Sequence, residues 1–186
     1  PIELSNIKNL IILMLCNNKI KQIPEFIYEM KQLSTICLHG NGLLYIEENI
    51  QNLENLKTLT LSKNKIKTLP KSLSKLLKLE DLAIENNPDL ENIDEDILKL
   101  PNLKEFCVDD RFLPFIVSNK NLFSKIKYIN LKYSNYKPND DLLKQLDFEF
   151  VDNDWQEEDK DKYFGAICLS TNEIAYDSYD LEDTNE

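Results

Sequence analysis

Apolar side chains recur at positions one, four and six of a nine-residue frame that closes on asparagine. The frames read LIILMLCNN from Leu10, LSTICLHGN from Leu33, LKTLTLSKN from Leu56 and LEDLAIENN from Leu79, at a constant spacing of 23 residues. Alternation across positions three to seven has the two-residue period of a strand: positions four and six turn to one side, and three, five and seven to the other. After the asparagine the period changes. Pro24 to Gln32 and Pro70 to Lys78 carry apolar residues at i, i+3 and i+6, which predicts a 3₁₀ or short α-helical return. Proline is compatible with the first turn of such a return, where no backbone donor is needed. Asn18, Asn41, Asn64 and Asn87 are expected to face inward and bond neighbouring backbone groups as a structural ladder.

The L-x-x-[LI]-x-[LI]-x-x-N frame at a fixed period resembles the leucine-rich repeat family. Its I-x-x-[IL]-P-x-x-[IL] continuation, as in IKQIPEFIYEMKQ and IKTLPKSLSKLLK, resembles the typical 23-residue intracellular class found in Ras-binding scaffolds. The resemblance implies an α/β solenoid over residues 1–151, curved, with a parallel β-sheet on the concave face and short 3₁₀ or α returns on the convex face. It implies a recognition surface and no reaction.

The period decays toward the C-terminus. LKEFCVDDR from Leu103 arrives one residue late and places Arg111 where asparagine belongs, so the ladder is expected to break there; IKYINLKYS from Ile126 ends on Ser134. Pro138-Asn139-Asp140-Asp141 reads as a helix start before Leu142 to Leu146, and Phe148, Phe150 and Val151 as a last strand. Residues 152–162 form an acidic linker interrupted by Trp155. Residues 163–179 are expected to form a C-terminal cap or partner-binding appendage, with a hairpin about Ser170-Thr171-Asn172, and residues 180–186 a frayed acidic end. At the other end, Pro1, Leu4 and Ile7 match Pro24, Ile27 and Met30, so the sequence starts in mid-repeat.

Charge divides the chain unevenly. Residues 139–186 hold 16 acidic and 3 basic side chains, whereas the preceding 138 hold 17 and 19, within a total of −11. The acidic end disfavours nucleic acid and anionic membranes and favours a basic partner or simple solubility. No apolar run approaches the roughly 20 residues that span a bilayer. Cys16, at position seven, and Cys37 and Cys107, at position five, are expected to line the concave sheet. Extended strand geometry places the Cα atoms of Cys16 and Cys37 about 8 Å apart, too far for an unstrained disulfide. That reading favours a reducing, cytoplasmic location.

Positions three, five, seven and eight of each strand form the expected reading surface. Along the arc it passes from Ile12, Met14 and Cys16 to the carboxylates Asp81, Glu85, Glu105, Asp109 and Asp110, then to Tyr128, Lys132 and Tyr133. Carboxylates on strands about 4.8 Å apart repel one another, and a basic partner would relieve them. Tyrosine adds hot-spot character. His39 beside Cys16 suggests a nucleophilic dyad, and Cys16, Cys37 and His39 a metal site. An open sheet provides no oxyanion donor, pocket or fourth ligand, so neither is assigned. The sequence therefore predicts a scaffold with no catalytic residues, no cofactor and no metal, binding a protein or peptide, a basic one being favoured, through its concave face. An acidic leucine-rich nuclear phosphoprotein-like binder of basic proteins, or a regulatory repeat segment of a larger enzyme, are the alternatives. The oligomeric state is not written in these residues.

Overall fold

The computed structural model describes residues 9–122, 126, 128–130 and 149–150. The chain divides into two compact units, residues 1–151 and 152–186. The predicted helix start at Pro138, the acidic linker, the hairpin and the frayed end all lie outside the described residues.

Each frame forms a three-residue strand at positions three to five. The strands are β1 (Ile12–Met14), β2 (Thr35–Cys37), β3 (Thr58–Thr60), β4 (Asp81–Ala83), β5 (Glu105–Cys107), β6 (Tyr128–Asn130) and β7 (Glu149–Phe150). They form one parallel seven-stranded sheet in sequence order. Register follows the repeat: Ile12, Thr35, Thr58, Asp81, Glu105, Tyr128 and Glu149 stand side by side. The late fifth frame does not shift the register, so the return between β4 and β5 absorbs the extra residue. Backbone pairing continues past the strands, with Leu15, Leu38 and Leu61 N–H donating to the carbonyls of Cys37, Thr60 and Ala83 at 2.8 Å.

The first four returns use two tight geometries. Helices α1 (Glu25–Tyr28) and α2 (Glu95–Leu98) occupy the first and fourth, and 3₁₀ turns at Glu48–Asn52 and Lys71–Lys75 the second and third. Pro24 and Pro70 stand just before their helical segments, as N-caps with extended ψ, one residue earlier than the first turn. The fifth return is longer, passing through a 3₁₀ turn (Asp110–Phe112) into α3 (Leu113–Ser118).

Between sheet and returns runs one continuous apolar core. Positions one, four and six supply Leu33, Leu56, Leu79 and Leu103, then Ile36, Leu59, Leu82 and Phe106, then Leu38, Leu61, Ile84 and Val108, all buried. The returns close it with Ile27, Ile50, Leu73 and Ile97. Burying a leucine or isoleucine contributes roughly 1.5–3 kcal/mol, and stacking lets each repeat share its neighbour's apolar wall.

Each strand leaves the sheet through the same turn. Asn17, Gly40, Lys63 and Asn86, all at position eight, have φ of 54°, 65°, 51° and 56°. Glycine and asparagine tolerate this left-handed conformation; lysine does so at a cost. The next residue fills the turn with polar contacts. Asn64 donates to the carbonyls of Leu61, Ser62 and, one repeat back, Leu38 at 2.8–3.1 Å, while its Oδ1 accepts from Leu43 N–H at 3.0 Å. Asn41 and Asn87 repeat the pattern, their Oδ1 atoms accepting from Ile20 and Ile66 N–H. Asn18 is exposed and, among the described residues, donates only within its own turn, to Leu15 and Cys16.

At the fifth frame Arg111 stands in the ladder position and makes a different cross-repeat contact. Its guanidinium donates to the Asn87 carbonyl at 2.7 Å and to the Pro88 carbonyl at 3.1 Å, and lies 4.7 Å from the Phe112 ring centroid. A long planar donor reaches back across one repeat to carbonyls different from those the ladder asparagines serve.

The concave strand face as a candidate functional site

The sheet brings residues of equal repeat position into rows, and these rows decide which predicted site residues meet. Position three runs Ile12, Thr35, Thr58, Asp81, Glu105 in direct register. Asp81 and Glu105 are therefore lateral neighbours, one strand spacing of about 4.8 Å apart, and both are half-buried. Thr58 Oγ1 donates to Asp81 Oδ2 at 2.9 Å. Glu105 forms no ion pair among the described residues, and its buried Oε2 has no hydrogen-bond partner there.

The nearby cations are held elsewhere. In the position-two row Glu80 is bonded to Lys57 Nζ at 3.0 Å and to Lys104 Nζ, and these bonds hold its carboxyl below the usual range. Glu80 of the fourth repeat is thus shared by Lys57 of the third and Lys104 of the fifth. One residue later the pattern reverses. Burial raises the Asp81 carboxyl, opposed by the Thr58 hydrogen bond. Burial, and next the charge of Asp81, push Glu105 up to about 7, opposed by Lys104. Two adjacent carboxylates, short of counter-charge, favour a proton or an incoming cation.

The remaining predicted residues separate. Glu85 is only 2% exposed and so does not offer an open carboxylate. Asp109 is occupied within the fold: its Oδ1 accepts from Asn86 N–H at 2.8 Å, which secures the left-handed turn of the fourth repeat, and its Oδ2 lies 3.5 Å from Arg111. Asp110 lies beyond β5, at the start of its 3₁₀ turn. Tyr128 stands beside Glu105 in the backbone register, and Lys132 and Tyr133 lie outside the described residues.

Positions five and seven also depart from the expected open surface. Cys37, Thr60, Ala83 and Cys107 are buried, as are His39 and Ser62. At position five each short side chain has a neighbour about 4.8 Å away on either side, so packing along the row covers much of it. Met14, at the end of that row, is 56% exposed, and Ile11 and Ile12 beside it are as open.

Cys16 and Cys37 form a disulfide, contrary to the separation expected from extended geometry. That estimate assumed that the strand continues to position seven. Instead β1 ends at Met14 and the chain turns toward left-handed Asn17, which brings the two Cα atoms to 5.7 Å, inside the usual disulfide range of about 4.4–6.8 Å. The bond leaves neither sulfur free for a Cys16–His39 nucleophile or a Cys16–Cys37–His39 metal site. It also removes the thiol argument for a reducing compartment. Cys107 is buried in β5. No helix among the described residues is long and apolar enough to cross a membrane.

The position-eight turns, the cross-repeat role of Asp109 and the guanidinium bridge of Arg111 were not anticipated. One signal was present: Asn, Gly and Asn at three of four position-eight sites mark positive φ.

No protein-family model matches the sequence, and no curated protein matches it. Solved structures do. A leucine-rich repeat protein of Leptospira interrogans shares 22% identity at a TM-score of 0.57, over 81% of this chain and 44% of that one. The leucine-rich repeat domain of the type III effector XopL shares 21% at 0.54, over 70% and 47%. The functional domain of InlJ from Listeria monocytogenes, which includes a cysteine ladder, shares 17% at 0.53, over 80% and 31%. The chain spans less than half the length of each of these structures. Their likeness, the seven parallel strands and the short helical returns identify the fold as a curved leucine-rich repeat solenoid.

Proposed function

We propose that this chain is a non-catalytic scaffold that docks a protein or peptide on its concave strand face, with Asp81 and Glu105 receiving a basic side chain of the partner. The carrying observation is their lateral pairing in register while Lys57 and Lys104 are engaged by Glu80. A partner guanidinium or ammonium between the two carboxylates supplies the missing counter-charge, and partial desolvation strengthens that contact. Ile12 and Met14, at the other end of the position-three and position-five rows, give an apolar anchor on the same face. A face that combines an apolar strip with a charged pair suits a partner with both features.

Affinity capture from source-cell lysate with the wild-type chain and with Asp81→Asn/Glu105→Gln tests the reading. Asp109 is left intact because it supports the fold. The proposal predicts that a partner held by the wild type at low salt is lost from the variant, with circular dichroism unchanged. Equal capture by both proteins at low and high salt removes the acid pair from the binding site.

A further inference from the structure

We propose that the Cys16–Cys37 disulfide is a reversible two-electron latch on the first two repeats, opened by thiol reductants without unfolding the solenoid. The bond joins adjacent repeats across the concave side, 21 residues apart in sequence. Its two sulfurs differ in access. Cys37 lies within β2 and is 5% exposed, whereas Cys16 follows the end of β1 and is only half-buried. An attacking thiolate therefore reaches Cys16 first.

The exchange balances with a dithiol as reductant. One thiolate of the dithiol bonds to the Cys16 sulfur, the Cys16–Cys37 bond breaks, and Cys37 leaves as a thiolate that takes up a proton. The second thiolate of the dithiol then attacks its own sulfur in the mixed disulfide and releases Cys16, which is protonated in turn. Two electrons and two protons pass to the protein, and the reductant departs as a cyclic disulfide. Cys107 takes no part, because β5 lies three strands from β2, about 14 Å away across the sheet.

Opening stays local because the same segments are joined independently. Leu15 N–H donates to the Cys37 carbonyl at 2.8 Å and Asn17 N–H to the His39 carbonyl at 2.7 Å. Asn41 bridges from the other side, donating to the Leu15 carbonyl and accepting from Ile20 N–H. Leu13 anchors the first strand in the buried apolar core, of which neither cysteine is a member. The first turn nevertheless depends on the latch more than later turns would. Among the described residues Asn18, which is exposed, donates only to Leu15 and Cys16, while Asn64 and Asn87 are sealed between repeats. Reduction thus loosens residues 15–20 beside the exposed Ile12 and Met14, and re-oxidation fixes them again.

Hydrogen exchange of the full chain, measured oxidised, after dithiothreitol, and after re-oxidation with oxidised glutathione, tests this. In the reduced protein the Leu15, Asn17 and Ile20 amides should exchange at least tenfold faster and recover on re-oxidation. Leu61 and Ile84 should not change. Cys16→Ser should reproduce the reduced pattern, and Cys107→Ser should leave the oxidised pattern intact. Three results overturn the proposal: alkylation of Cys16 and Cys37 without reductant, no acceleration at residues 15–20, or loss of protection at Leu61 and Ile84 as well. The last would make the bond a staple on which the whole solenoid depends.

Discussion

Replacing the repeat asparagines one at a time separates the polar spine of the solenoid from its apolar core. Asn64 contacts three carbonyls and one amide from two repeats, at 2.8–3.1 Å, and is 4% exposed. In Asn64→Ala the Leu43 amide loses its partner where Leu43 itself is fully buried. An orphaned buried donor costs about 1–3 kcal/mol, and each lost bond to the carbonyls adds roughly 0.5–1.5 kcal/mol. The sum is about 2.5–7.5 kcal/mol, a large share of the roughly 5–15 kcal/mol typical of a folded domain. Asn18→Ala removes two bonds at an exposed turn, where water replaces them, and should cost about 0.5–1 kcal/mol. Urea denaturation followed by circular dichroism measures both, with the slope m checking that the cooperative unit is the same. Equal losses for Asn18→Ala and Asn64→Ala would refute the reasoning, because the two differ in cross-repeat bonding and not in motif position.

The other expectations concern single rows or turns. Lys63→Gly should stabilise the fold by up to about 1 kcal/mol, since φ of 51° costs a lysine roughly 1–2 kcal/mol and glycine returns part of that gain as backbone entropy; thermal denaturation reads it. Arg111→Ala should cost about 1–2 kcal/mol in urea denaturation, and Arg111→Lys should recover little, because one ammonium lacks the planar fork that serves Asn87 and Pro88 together. Glu105 has a folded pKa of about 7, against an ordinary value of 4.5. Its contribution to stability is therefore fully present below pH 4.5 and lost as pH rises through about 7, and Asp81 acts in the same direction. Glu105→Gln should flatten the stability profile across that interval, which denaturation midpoints at a series of pH values will show.

The period exposed the architecture because every repeat repeats the same physical demand. Leu56, Leu59 and Leu61 are separated by the spacings that turn three side chains into one core, and no tertiary contact outside the frame alters that choice. The site was less legible. Asp81 and Glu105 could be placed on adjacent strands from their positions, but whether a carboxylate is open, buried or bonded depends on neighbours one repeat away. Asp109 looks like Asp81 in the sequence and differs because Asn86 N–H and the Arg111 guanidinium lie within reach. Cys16 shows the same limit at the backbone. A turn two residues after β1 moves its Cα to within reach of Cys37, and strand periodicity contains no information about where a strand stops.

Photo-crosslinking the captured partner from defined faces tests the concave-face claim most directly. A photoreactive residue replaces either Thr58, beside Asp81 in the sheet, or Leu77, 59% exposed at the end of a return. Docking in the concave sheet predicts partner adducts from position 58 and none from position 77, with the former suppressed by Asp81→Asn/Glu105→Gln. Adducts from position 77 with none from position 58 would place the binding surface on the returns and contradict the account.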